Sequence, residues 1–169
     1  QHISFGARRN SPNYEIFTVN AGTFKTELIC QDYASMRYPR WSPDGSKMIF
    51  TRYGMPWYRP RYRGSAASQI WLFDLKGKTR AKLLGDDRQF LFAQFMPDGK
   101  NILTVTTGEA TPTYARLNEK PSKFKDNEKR TPNLWLSNLN GSLRQLTHFS
   151  EDSVRYPTVT AKSGTLALD

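Results

Sequence analysis

A chain of 169 residues is long enough to bury a core, and fits one domain or part of a larger one. Its net charge of +10, from 25 lysines and arginines against 15 aspartates and glutamates, admits nucleic acid, an anionic surface or acidic peptides as partners. A single cysteine, Cys30, excludes an internal disulfide and leaves the compartment open, and no apolar run is long enough to cross a membrane as a helix, so membrane insertion is not expected.

The chain begins at Gln1 without a methionine. QHISFGARRN lacks the charged-then-apolar order of an export signal, and the chain reads as an excerpt or a processed product. ISFGA at 3–7 is a first short strand. EIFTVNAGTFKTELI at 15–29 is an apolar strand, a turn at Gly22 and a second strand that ends in Cys30, read as a small buried hydrophobe. YPRWSPDGSKMIF at 38–50 is a hairpin around Pro43-Asp44-Gly45. Pro43 presets φ, Asp44 accepts backbone hydrogen bonds and Gly45 supplies the positive φ. An insertion, YGMPWYRPRYRGSAAS, fills 53–68. QIWLFDLKGKTRAKLL at 69–84 then turns at Gly77, and FAQFMPDGKNILTV at 92–105 repeats the Pro-Asp-Gly hairpin at Asp98. A second insertion, rich in lysine, occupies 108–132. NLWLSNLNGSLRQLT at 133–147 turns at Gly141, and YPTVTAKSGTLAL at 156–168 is a weaker copy of the Pro-Asp-Gly element.

Two elements therefore alternate, and they keep step. Ile16 to Ile70 and Asp44 to Asp98 are both 54 positions, and Ile70 to Leu134 and Asp98 to Lys162 are both 64. Bulky residues recur at Phe17, Trp71 and Trp135. Four short strands per unit, repeated every several tens of residues, predict an all-β chain: a β-propeller of four-stranded antiparallel blades. The blade units are roughly 1–32, 33–87 and 88–150, with the start of the next blade at 151–169. ISFGA at 3–7 and TLALD at 165–169 both fall where a second strand belongs, so the propeller is expected to be incomplete, with about three blades here where closed propellers typically have about 4–8. The rest of a parent propeller is then a partner.

No catalytic residue, metal site or cofactor is expected. There is no G-x-S-x-G elbow, Ser65 has no nearby histidine in sequence, and His2, His148 and Cys30 are unclustered. A carboxylate recurring at one turn of each unit, as Asp44 and Asp98 do, reads as a hairpin residue. The acid pairs Asp86-Asp87 and Glu151-Asp152 read as solvated loops. The binding candidate is the first insertion with the residue before it: Arg52, Trp57, Tyr58, Arg59, Arg61, Tyr62 and Arg63. Aromatic faces interleaved with guanidinium forks suit extended peptides, terminal carboxylates or single-stranded nucleic acid. The bland alternative is a loop folded on the blade rim by arginine–aromatic stacking.

RWSPDGSKMIF followed by QIWLFDLKGKTRAKLL resembles the repeat of TolB-type β-propellers, which also occurs in the propellers of tricorn-type and prolyl-oligopeptidase-type proteases. RYPRWSPDG, GMPWYRPRYRGSAASQIWLFD and RTPNLWLSNLNGSLRQLTHF together look like the N-terminal propeller of tricorn-like peptidases, though the third unit has Ala161-Lys162-Ser163 in place of Pro-Asp-Gly. That resemblance implies a non-catalytic propeller segment that binds peptide or protein or gates substrate, with the protease core downstream and a cytoplasmic location. The alternative is a TolB-like envelope module that docks proteins, has no protease core and is periplasmic. Nucleic acid ranks last as a partner because no motif specific for it occurs.

Overall fold

The computed structural model describes residues 1–53, 65–85, 88–107, 131–149, 153–160 and 166–167. These residues form strands and turns, with no helix among them. The first sheet is a meander of β1 (His2–Ala7), β2 (Glu15–Asn20) and β3 (Thr26–Cys30). The second runs β4 (Met36–Trp41), β5 (Lys47–Arg52), β6 (Gln69–Asp74) and β7 (Thr79–Leu84). The third runs β8 (Phe90–Phe95), β9 (Asn101–Thr107), β10 (Pro132–Asn138) and β11 (Leu143–Gln145), and β12 (Thr158–Val159) pairs with β13 (Leu166–Ala167). Every neighbouring pair is antiparallel. The architecture is an all-β partial propeller.

The cores lie between sheets. Ile16 and Cys30 of the first sheet meet Met36, Met48, Phe50 and Phe73 of the second. Ile49, Ile70 and Leu84 of the second meet Phe90, Ala93, Phe95 and Ile102 of the third. Leu103, Val105 and Leu134 meet Val154 beyond the third sheet. The second strand of a blade therefore serves two cores. Met48 and Phe50 point one way and Ile49 the other, which is why Met48-Ile49-Phe50 is an unbroken apolar run rather than an alternating one. Cys30 pairs with Ile16 as Leu84 pairs with Ile70, so the thiol stands where the next blade carries a leucine.

The turns follow the repeat. Asp44 Oδ1 accepts from Ser42 Oγ at 2.6 Å and from the Ser46 N–H at 3.0 Å, while Gly45 takes φ +72°. The Ser42 hydroxyl, then the Ser46 N–H and hydroxyl, hold the Asp44 carboxyl well below the ordinary carboxylate range. Asp98 Oδ1 likewise accepts from the N–H groups of Lys100 and Asn101, at 2.9 and 3.0 Å. Both aspartates are occupied by their own hairpins. The third copy of the turn, at 161–163, lies outside the described residues.

A second repeated feature is a bulge in the first strand. The β4–β5 register slips between Arg37 and Arg40, and the β8–β9 register slips at the matching place between Leu91 and Gln94. The bulged aromatic residues Tyr38 and Phe92 have φ of 56° and 53°, and Tyr156, at the same repeat position, has φ 42°. A left-handed backbone costs a bulky residue about 1–2 kcal/mol. Stacking across blades offsets it: Tyr38 meets Phe92 edge-on at 4.8 Å, and Phe92 meets Tyr156 at 4.5 Å. The rings form a ladder from blade to blade along the first strands.

Candidate peptide-binding face

Antiparallel pairing decides which loops share a face. β5 ends at Arg52, opposite Met36 at the start of β4 and Gln69 at the start of β6. β7 ends at Leu84, opposite Ile70. The connections between second and third strands (8–14, 53–68 and 108–131) and the links between blades therefore emerge at one end. The Pro-Asp-Gly hairpins and the turns at Gly77 and Gly141 lie at the other. The strand ends that flank both insertions thus lie at one end of the blades, and a repeat protein commonly carries its binding surface on the face where its insertions fall.

Of the residues singled out in the sequence, Arg52 is described. Trp57, Tyr58, Arg59, Arg61, Tyr62 and Arg63 lie outside the described residues. Arg52 is 7% exposed and points inward. Its Nε and Nη2 donate to Asp32 Oδ2 and Oδ1 at 3.2 and 3.0 Å, and its Nη1 donates to Gln69 Oε1 at 3.4 Å. Asp32 follows β3, so this bidentate pair ties the first blade to the second. The guanidinium is enclosed by the rings of Tyr53, Tyr33 and Trp71, at 4.4, 4.9 and 5.1 Å. Arg80 adds a second cation, with Nη2 at 3.1 Å from Asp32 Oδ2 and Nη1 donating to the Gln31 carbonyl at 3.0 Å. Burial works to raise the Asp32 pKa, but the Arg52 hydrogen bonds, the Ala34 N–H and the Arg80 charge outweigh it and hold the carboxyl below its ordinary value. Arg52 thus anchors the rim from which the insertion leaves.

The arginine–aromatic theme continues where the first blade meets β4 of the second. The guanidinium groups of Arg37 and Arg8 lie 4.2 and 4.7 Å from the centroid of the Tyr14 ring. Tyr14 ends the 8–14 connection and its carbonyl accepts from the Met36 N–H at 2.8 Å, which brings the start of β4 against this loop. Arg9 lies 5.5 Å from the Phe17 ring. Asp32, Tyr33, Tyr53, Arg8, Tyr14 and Arg37 were not singled out in the sequence. For Arg8 and Tyr14 the available signal was position, because 8–14 occupies the same place in its unit as the two insertions. Among the described residues there is no group of three or more His, Cys, Asp or Glu placed to hold a metal.

The fold and this face define a β-propeller segment. More narrowly, it has the fold of a TolB-type propeller, shared with peptidase propellers. The chain superposes on TolB from Acinetobacter baumannii with a TM-score of 0.68 at 20% identity, covering 99% of this chain and 34% of that one. It superposes on a putative TolB from Agrobacterium tumefaciens with a TM-score of 0.72 at 12% identity, covering 99% and 49%. An acylaminoacyl peptidase from Pyrococcus horikoshii matches with a TM-score of 0.51 at 21% identity, over 88% of this chain and 24% of that one. The chain spans a third to a half of the two TolB chains. No family model matches the sequence, and no curated protein matches it.

Proposed function

We propose that this chain is a non-catalytic propeller segment that binds extended peptides, or gates their access, for a tricorn-like serine peptidase. The observation that carries the reading is that Arg8, Tyr14, Arg37 and Tyr53 lie at the end of the blades where β5 stops at Arg52 and β6 starts at Gln69, the strand ends that flank the arginine–aromatic insertion. Aromatic faces supply contact area to a peptide backbone, and guanidinium forks supply directed hydrogen bonds to carbonyl or carboxylate oxygens. The buried Asp32–Arg52 pair ties the first blade to the second at this rim. Replacing Arg59, Arg61 and Arg63 together with alanine is expected to leave the β-sheet circular dichroism spectrum unchanged and to weaken binding of an extended peptide at least tenfold, a loss of about 1.4 kcal/mol or more. Unchanged affinity would return the loop to a rim-packing role.

A second reading is a TolB-like envelope module that docks proteins and has no protease core. Its support is the fuller superposition on the two TolB chains than on the peptidase. The two readings separate on the native polypeptide. Labelling by a serine-directed fluorophosphonate favours the first, and an unlabelled polypeptide from the cell envelope favours the second.

A further inference from the structure

We infer that Arg8, Tyr14 and Arg37 form a carboxylate-binding clamp, which selects acidic residues in a peptide lying across the insertion face. The starting observation is a charge left without a counter-charge. Arg37 and Arg8 both stack on the one ring of Tyr14, at 4.2 and 4.7 Å. Among the described residues neither has a carboxylate within ion-pair distance. The contrast with Arg52 is direct, because its guanidinium is filled by Asp32 at 3.0 and 3.2 Å.

The burial of Arg37 sharpens the point. The residue is half-buried, and its Nε is buried without a hydrogen-bond partner. That Nε is out of a ligand's reach, which leaves the terminal nitrogens of the fork as the donors offered to one, and a guanidinium is a donor at any physiological pH. Arg8 is exposed and Tyr14 is half-buried, so the clamp opens to solvent. Two guanidinium groups on one ring concentrate positive charge at that place, which favours an anion beside them. The planar fork of arginine matches a carboxylate edge, with two parallel N–H···O bonds. The ring fixes the fork beforehand, which lowers the ordering cost of binding. The nearby Glu15 carboxylate does not fill this role: it is buried and accepts the Asn10 N–H at 3.0 Å.

The ligand is therefore a glutamate or aspartate side chain, or a chain-terminal carboxylate. The peptide part of this inference rests on the proposed function; the carboxylate part does not. Two measurements keep them apart. In the first, the Arg Nε–H resonances of the protein are followed by NMR during titration with glutarate, and in parallel with inorganic phosphate. The Arg37 Nε–H is expected to shift with glutarate at lower concentration than with phosphate. No shift, or a stronger response to phosphate, would overturn the carboxylate clamp. In the second, an extended neutral peptide and the same peptide carrying two glutamates are compared by fluorescence anisotropy at low salt. The acidic peptide is expected to bind about tenfold more tightly. The double variant R8A/R37A should erase that preference, so that the two peptides bind alike, and R37K should lose most of it. Arg40 is exposed on the same strand and its side chain turns back to the Pro39 carbonyl, so R40A should keep the preference. Equal loss in R40A would mean general charge attraction and would overturn the clamp. If neither peptide binds while glutarate still shifts Arg37, the peptide reading fails and the carboxylate site stands.

Discussion

Replacing Asp32 with alanine lowers the stability of the fold by about 3–5 kcal/mol, the range for removing one partner of a buried pair. Asp32 is buried beneath two arginines. Its loss strands the Arg52 guanidinium, 7% exposed, and removes both of its carboxylate bonds, leaving neutral acceptors such as Gln69 Oε1 at 3.4 Å. Arg80 is more exposed, and its pair with Asp32 is partly screened. Arg80→Ala is expected to lose only about 1 kcal/mol or less. Urea unfolding of the three proteins at neutral pH reads both losses. The effect also has a pH signature. The Asp32 carboxyl is held below its ordinary value, so it contributes stability above the unfolded pKa of about 4 and loses it as pH falls through the lower, folded value. Asp32→Ala therefore removes part of the acid-induced loss of stability below about pH 4. An acid limb identical to the parent's would mean that the pair is not formed.

Replacing Gly85 with alanine is expected to cost about 2–4 kcal/mol. Gly85 has φ +130°, a conformation open to glycine, and an added Cβ would lie 2.7 Å from Gln69 Cγ and 2.9 Å from Gln69 Cα. The backbone of β6 must then move. Gln69 is the residue whose Oε1 accepts from Trp71 Nε1 at 2.9 Å and from Arg52, so the shift also loosens the Arg52 anchor. Gly77→Ala is the control. Its added Cβ meets nothing closer than 3.4 Å, and it should change stability by less than about 0.5 kcal/mol. Equal effects of the two substitutions in thermal or urea unfolding would contradict the close approach of Gly85 to β6.

The propeller blades were legible because the repeat carries its own register. Two anchors per unit, the apolar strand at Ile16, Ile70 and Leu134 and the turn at Asp44 and Asp98, fixed strand order without reference to any tertiary contact. Cys30 was legible from its place at the end of an apolar run, and it is buried opposite Ile16 as Leu84 is opposite Ile70. The positive φ of Tyr38, Phe92 and Tyr156 was not. An aromatic residue carries no local signal for a left-handed backbone, and what holds it there is a ring from the adjoining blade. Arg52 was singled out for its place beside an aromatic loop, yet its guanidinium is taken up by Asp32, a pairing across blades that composition does not announce. Arg8 and Arg37, which have no carboxylate partner among the described residues, were missed because 8–14 is a short connection whose charge does not stand out from that of the chain.

The central claim is that peptides meet the face carrying the connections between second and third strands. Backbone hydrogen exchange with and without a bound acidic peptide tests it most directly. The account predicts slower exchange in 8–14 and 31–37, with the hairpins at 43–46, 75–78 and 97–100 unchanged. Protection confined to those hairpins, at the opposite end of the blades, would contradict it.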